Sequence, residues 1–241
     1  MLHLTILVPA HNVAGYIQEC LTSLLDRKNE HADFDIVVVD DGSTDRTYEI
    51  VESFLPNNPI SLISLPKHTN VTDATAVGLQ FCKGPVVTVV DGDDKVLPGA
   101  FTVVEEFEKD PSLGFAWTRT QLSTGQPGWS RPLPANKTLY EAMMLGWWNS
   151  QHEKFFRLST YKQTVGLNTE FDRASDYQLV LLLASTGCKV KFVDRVTYWY
   201  RVGRPGSLTS QGSDKQRACA QGIRQWIQKV KQCSTNSTPQ S

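Results

Sequence analysis

Two acidic runs stand out in this sequence: Asp40-Asp41-Gly42-Ser43 and Asp91-Gly92-Asp93-Asp94. Each follows directly on a β-rich apolar segment, Asp35-Ile36-Val37-Val38-Val39 and Val86-Val87-Thr88-Val89-Val90. Three carboxylates within four residues repel one another strongly unless a cation neutralises them. Hard oxygen ligands at that density suit Mg2+ or Mn2+, which keep open positions for diphosphate oxygens. Taken singly, either run also reads as turn and cap chemistry, because Asp-Gly is a common turn dipeptide and Ser43, Thr44 and Asp45 are good N-caps. Two such runs, each ending a strand-like segment of one α/β unit, point instead to a nucleotide–metal site, since ligands of open α/β sheets bind outside the carboxyl ends of the strands.

The elements that must carry these runs are legible as an alternation. Leu4 to Pro9 is a β-rich run, and Ile17, Cys20, Leu21, Leu24 and Leu25 recur with helical period. The segment before Asp40 is apolar almost throughout, as a parallel strand covered on both faces should be. A helix with Ile50, Val51, Phe54 and Leu55 inward follows, then a strand from Ile60 to Leu65 and a short helix from about Thr72 to Phe81. Gly84-Pro85 breaks that helix, the strand into Asp91 comes next, and a helix with Phe101, Val104 and Phe107 inward follows it. The order βαβαβαβ implies an open, mainly parallel sheet with helices on both faces, a Rossmann-like α/β fold. Gly, Pro and Ser from about Gln121 to Ala135 read as a loop. Beyond it the sequence predicts a helix over Leu139–Trp148, a strand over Lys154–Leu158, an apolar helix over Ser175–Thr186, a β-rich stretch over Lys189–Arg201 and an amphipathic helix over Asp214–Lys231. Residues 1–232 then form one domain, with a nucleotide-binding half (1–120), an acceptor half (121–210) and a C-terminal helix (211–232), ahead of a flexible tail (233–241).

Composition narrows the partners. At 241 residues, 40% hydrophobic and 20% charged, the chain can bury a full core. A formal net charge of −1 supplies no field for nucleic acid or an anionic membrane, so no nucleic-acid partner is expected. Five scattered cysteines without a CxxC pair argue against a structural zinc site or disulfide framework and favour a reducing compartment. No run approaches the roughly 20 apolar residues that span a bilayer. The expectation is a cytoplasmic protein, with peripheral membrane attachment left open.

The motifs Thr5-Ile6-Leu7-Val8-Pro9-Ala10-His11-Asn12, Val39-Asp40-Asp41-Gly42-Ser43-Thr44-Asp45 and Val90-Asp91-Gly92-Asp93-Asp94 resemble family 2 glycosyltransferases of the GT-A fold. So do Phe155-Phe156-Arg157, Gly166-Leu167, Phe171 and Asp176-Tyr177-Gln178-Leu179, and then Tyr198-Trp199-Tyr200-Arg201 with Gly206-Ser207-Leu208. Five short motifs in the right order over residues 3 to 210 carry the resemblance. It implies an inverting, metal-dependent transfer of sugar from a nucleotide-diphosphate donor, a UDP-sugar first among them. The acceptor would be a hydroxyl of a glycan, a lipid-linked sugar or another molecule, in glycan or polysaccharide synthesis. By resemblance Pro9, Ala10 and Asn12 line the base pocket, and Asp41 or Asp40 accepts a hydrogen bond from base or ribose, as a carboxylate can from the imide N–H of uracil. Asp93 or Asp94 would hold the metal, Asp91 with Gly92 would contact ribose or orient the loop, and Asp176 would be the general base. Pro9 also reads as a plain strand terminator, and Ser175 and Asp176 as helix caps.

The departures from the family pattern concern charge. Where the family commonly shows Ala-Arg-Asn-x-Gly, this chain has Ala74-Thr75-Ala76-Val77-Gly78. Where a histidine often joins the metal shell after Tyr-Arg, this chain has Gly203 followed by Arg204. An arginine cannot ligate a cation but can pair with phosphate, so Arg201 or Arg204 is expected to clamp the diphosphate. Trp147, Trp148 and His152 read either as a sugar-stacking surface or as core anchors. Gln221 to Trp226 nearly matches a motif of processive synthases, but its spacing is off by one and it reads as an ordinary amphipathic helix. Two rivals are a sugar-nucleotidyltransferase, which the Gly-poor loop His11-Asn12-Val13-Ala14-Gly15 disfavours, and a degenerate, non-catalytic binding module, which the intact acidic cluster and Asp176 disfavour.

Overall fold

The computed structural model describes residues 1–31, 33–128, 130–146, 153–205, 207 and 213–236. Four strands come first: β1 (Leu4–Ala10), β2 (Phe34–Asp40), β3 (Ile60–Ser64) and β4 (Val86–Val89). They pair in parallel in the order β3-β2-β1-β4, with Ala10 level with Asp40 and Asp40 level with Ser64. The carboxyl ends of the three strands β1 to β3 therefore meet along one edge, where the loops that bind must lie.

Side-chain alternation sorts the core into two layers. Leu4, Ile6, Val8, Ile36 and Val38 face one side, against Ile17, Cys20, Leu21 and Leu24 of α1 (Ile17–Leu25) and Val51 of α2 (Thr47–Phe54). Leu7, Val37 and Val39 face the other, against Ala74 and Leu79 of α3 (Val71–Phe81). This is the period of two that a doubly covered strand requires. Gly78 of α3 lies so close to the sheet that a Cβ there would sit 2.2 Å from Leu7 Cδ1, which fixes the helix against β1.

After the two-residue β5 (Lys95–Val96) and α4 (Val104–Lys109), the chain adds β6 (Leu113–Leu122), α5 (Leu139–Met144), β7 (Lys154–Arg157), α6 (Leu158–Tyr161), α7 (Ser175–Ser185), β8 (Lys189–Tyr200) and α8 (Ser213–Asn236). The sheet continues β4-β7-β6-β8-β5, with β7 antiparallel to β4 and β6, β8 parallel to β6, and β5 antiparallel to the end of β8. Of the described strands in this second half, only β7 and the short β5 run against the others. In α7 every residue from Tyr177 to Ala184 is buried, because the helix packs between the sheet and its neighbours α5 and α8. Ile223 and Ile227 of α8 close that layer.

Most sequence-predicted elements are present within a residue or two. Two differ. The sequence reading leaves out β6, whose last residues Gln121 and Leu122 it assigns to the loop. The helix predicted to end at Lys231 continues to Asn236. Gly114 and the polar run Thr118-Arg119-Thr120 hide β6 from any periodicity test, and register shifts along its pairing with β8 break the alternation further. Trp147, Trp148 and His152 lie outside the described residues. Among the described residues no helix is long and apolar enough to cross a membrane.

One carboxyl sits inside this second half. Glu153 is buried ahead of β7, and its Oε2 meets the hydroxyls of Thr118 on β6 and Thr197 on β8, which also contact each other at 2.6 Å. Two hydroxyls bring two hydrogens to three contacts, so a protonated Glu153 supplies the third. Burial pushes its carboxyl from an ordinary value of 4.5 up to about 8. The folded state then holds this proton more tightly than the unfolded chain does. Raising the pH between those two values costs stability, by at most about 1.4 kcal/mol per pH unit. We expect Glu153→Gln to flatten the decline of the urea midpoint over that window relative to wild type. Parallel pH profiles for the two proteins would show that Glu153 is ionised throughout.

Candidate active site

The loops after β1 and β2 are stitched together by side chains. Asn12 has a left-handed backbone (φ 50°), and its Oδ1 accepts hydrogen bonds from the Thr44 and Asp45 N–H groups at 2.8 and 3.3 Å. In return Asn12 N–H donates to Ser43 Oγ, Ala14 N–H to Asp45 Oδ2 and Val13 N–H to Thr47 Oγ1. Asp45 Oδ1 also accepts from Thr47 N–H, so it is the residue of the predicted cap trio that covers the start of α2. The acidic turn is thus locked to the first strand end before any ligand arrives.

Asp41 is 2% exposed and points into the cleft that these loops form. Its Oδ1 accepts from both the N–H and the hydroxyl of Thr69 at 2.8 Å, and its Oδ2 lies 2.8 Å from His68 Nδ1. Gly42 permits this approach: at φ +60° its missing Cβ would fall 2.4 Å from the His68 backbone nitrogen. His11 completes the corner, with Nδ1 2.7 Å from the Asp41 carbonyl and its ring stacked on His68 at 3.8 Å. Asp40, by contrast, lines a shallower depression beside Gly42 to Asp45 and lies outside the lining of the main cleft.

The second acidic run divides its carboxylates between two environments. Asp94 is 1% exposed and lies outside the cleft lining. Its Oδ2 accepts from the Tyr198 hydroxyl at 2.8 Å and its Oδ1 from the Arg201 N–H at 2.7 Å, while Tyr198 accepts in turn from Asp91 N–H. Asp91, Gly92 and Asp93 do line the cleft. Burial, then the charge of Asp91, raises the Asp93 carboxyl above its usual range, against the pull of Arg204. Burial and both neighbouring carboxylates raise Asp94 well above it. Arg204 Nε meets Asp93 Oδ2 at 2.5 Å, so a cation already stands against that oxygen.

Arg201 serves differently from Arg204. Its guanidinium lies between the rings of Tyr16 and Trp199, each 4.6 Å away, and it donates to Glu19 and to the Asp93 carbonyl. It braces the loop from behind, whereas Arg204 enters the cleft.

Asp176 reaches the same cleft from the first turn of α7. The cap position belongs to Ala174, held left-handed at φ 58°, and Asp176 Oδ1 accepts from the Tyr177 N–H at 2.7 Å. Asp172 also lines the cleft, but it is paired twice with Arg173 at 3.0 and 3.1 Å, which holds its carboxyl below the usual range. A carboxylate so stabilised makes a poorer base. Thr75, in place of the family arginine, bonds the Val71 carbonyl and contributes no charge. Arg173 and Arg204 are the arginines of the cleft.

The cleft, about 660 Å3 in volume, therefore gathers Pro9, Ala10, Asn12, Asp41, Asp91, Gly92, Asp93, Asp176 and Arg204, and leaves Asp40, Asp94 and Arg201 outside its lining. Sequence reasoning gave no role to His11, His68, Thr69 or Gln216, which join the lining. His11 lies inside a motif already noted. His68 and Thr69 follow β3 with no periodic or compositional signal. Among the described residues, His11, Asp41 and His68 also form a group whose ligand atoms lie within 4.8 Å of one another.

The family model described as Glycosyl transferase family 2 matches residues 5–171. A chondroitin synthase of Pasteurella multocida (strain Pm70) is 29% identical over 200 residues, covering 80% of this chain and 20% of that protein. The chain thus spans about a fifth of that relative's length. S. aureus TarS 1-349 in complex with UDP-GlcNAc superposes with a TM-score of 0.67 at 20% identity, over 87% of this chain and 61% of that one. The mannosyltransferase PcManGT from Pyrobaculum calidifontis, in complex with GDP-Man and Mn2+, superposes with a TM-score of 0.66 at 21% identity, over 85% and 58% respectively. With the family match spanning most of its length and the GT-A architecture in its sheet, the chain belongs to glycosyl transferase family 2.

Proposed function

We propose that this domain transfers a sugar from a nucleotide-diphosphate donor, with UDP as the nucleotide, to a hydroxyl of a glycan or lipid-linked acceptor, with inversion at the anomeric carbon. The observation that carries the reading is the convergence in one cleft of an acceptor-only carboxylate (Asp41), a carboxylate paired with an arginine (Asp93 with Arg204) beside a second one (Asp91), and a separate carboxylate on α7 (Asp176). Asp41, fixed by Thr69, can accept the imide N–H of uracil. Asp176 takes the proton of the acceptor hydroxyl as its oxygen attacks the anomeric carbon and the bond to the diphosphate breaks. Arg204 faces the growing charge of the leaving group. TarS bound to UDP-GlcNAc and PcManGT bound to GDP-Man and Mn2+ support a nucleotide-sugar donor for this fold.

The donor set fits a hard divalent cation, Mn2+ or Mg2+. Asp91 and Asp93 offer carboxylate oxygens to the cleft, and the guanidinium against Asp93 marks a place where positive charge is favoured. When bound, such an ion would neutralise the departing diphosphate. Asp94, with both oxygens engaged, supports the loop that carries Asp93. The group His11–Asp41–His68 offers a second place for a cation. The hydrogen bonds of His11 to the Asp41 carbonyl and to the Asn12 amide favour a polar, stacked corner for the base instead.

These alternatives separate by titration. Asp93→Ala should abolish the Mn2+-dependent tightening of UDP binding in calorimetry while the fold persists, and His68→Ala should preserve that dependence. The opposite pattern would move the cation to the histidine corner. For the base, we expect Asp176→Asn to leave UDP-sugar binding nearly unchanged and to slow UDP release, across a panel of UDP-sugars and oligosaccharide acceptors, by about 10²-fold or more. If Asp172→Asn stops turnover and Asp176→Asn does not, the base is misassigned while the donor site stands.

A further inference from the structure

Arg204 occupies an oxygen that a divalent cation would need. Its Nε lies 2.5 Å from Asp93 Oδ2, and the two side chains are only 17% and 16% exposed. At that burial water screens the pair weakly, and an ion that took the same oxygen would strand a guanidinium beside a dication. The chain leading to Arg204 is anchored three residues earlier. Arg201 N–H and Nε bind Asp94 and the Asp93 carbonyl, its terminal nitrogen binds Glu19, and its plane lies against Tyr16 and Trp199. Between the anchor and Arg204 lie Val202 and Gly203, both exposed, with Gly203 at φ +76°. That short exposed link lets Arg204 turn about a fixed base without leaving the cleft. Arginine is also the side chain that exchanges a carboxylate for a phosphate with least loss, because its planar fork fits both.

We propose that Arg204 is a built-in counter-ion for Asp93 that opposes binding of a divalent cation on its own and releases Asp93 when a nucleotide diphosphate offers it phosphate oxygens. The inference rests on the assignment of Asp93 to the cation made above. Its consequence is positive coupling: the cation and the diphosphate each tighten the other, because each removes what the other must displace.

The test is binding, with Mn2+ as probe, read by electron paramagnetic resonance of free Mn2+ and by calorimetry of UDP. Arg204→Ala should bind Mn2+ without nucleotide about tenfold more tightly than wild type, a factor equal to about 1.4 kcal/mol. The same variant should bind UDP in the presence of Mn2+ more weakly, and should lose more affinity for UDP than for uridine. Opposite signs in one variant are what a purely structural arginine would not give. Arg204→Lys keeps the charge and should keep Mn2+ binding weak, which guards against misfolding of the alanine variant. Unchanged Mn2+ affinity in Arg204→Ala, with UDP-dependent Mn2+ binding intact in wild type, overturns the counter-ion role alone. Absence of Mn2+ binding to wild type even with UDP overturns the cation assignment and this inference with it.

Discussion

A carboxylate can be carried beneath a protein surface only if donors meet its oxygens, because an unpaired buried charge costs several kcal/mol. Asp94 meets that condition through two residues about a hundred positions away, the Tyr198 hydroxyl and the Arg201 N–H. The same tyrosine accepts from Asp91 N–H, so one phenol holds both ends of the acidic loop. These bonds tie the loop after β4 to the end of β8, the strand on the far side of β7 and β6 in the sheet. Asp91 and Asp93 are then presented to the same cleft, although they repel each other, with the backbone between them held by Gly92 N–H to the Pro9 carbonyl and Asp94 N–H to the Asp91 carbonyl.

The side of the cleft formed by the loops after β1 and β2 is built by the same principle, largely with neutral groups. Parallel pairing brings the ends of β1 and β2 level, and Asn12 converts that proximity into a fixed corner by accepting from two consecutive N–H groups of the neighbouring loop. Its left-handed backbone, tolerable for asparagine, is the local strain that the corner requires. Asp41 is consequently set before binding, with Thr69 on one oxygen and His68 beside the other. Under the proposed donor assignment, a ligand base would meet here an acceptor that need not reorganise.

How much of this could be read from the sequence follows from the range of each interaction. Strands β1, β2 and β4 were legible because both of their faces are apolar, edge strand β3 because Ile60, Leu62 and Ile63 sit between turn residues, and the acidic runs because strand ends and turn residues are local signals. Strand β6 was not, since its first six residues are buried while Gly114 and Thr118-Arg119-Thr120 deny it any pattern. Asp176 was legible through its motif, whereas the paired contact that makes Asp172 a poorer base than an unpaired carboxylate was visible only with Arg173 in place. The distinction between Asp93, facing the cleft, and Asp94, bound behind it, depends on Tyr198 and Arg201. No rule of spacing within Asp91-Gly92-Asp93-Asp94 could have made it. His68 was invisible for the same reason: its partner Asp41 belongs to another loop.

The departures from the family pattern become coherent when charge is followed instead of residue identity. Thr75 and Ala76 remove a cation from α3, and Gly203 removes an imidazole from the loop after β8. Arg204 returns a positive charge to the acidic loop, and Arg173, held by Asp172, places another at the entrance of α7. The cleft keeps positive groups beside its carboxylates while their attachment moves to different strands and loops. An arginine differs from an imidazole in one respect that matters here, since it can oppose the carboxylates directly but cannot share a metal with them. The substitution therefore adds a fixed positive charge beside Asp93, and, under the counter-ion role proposed above, changes the order in which the site's charges exchange partners.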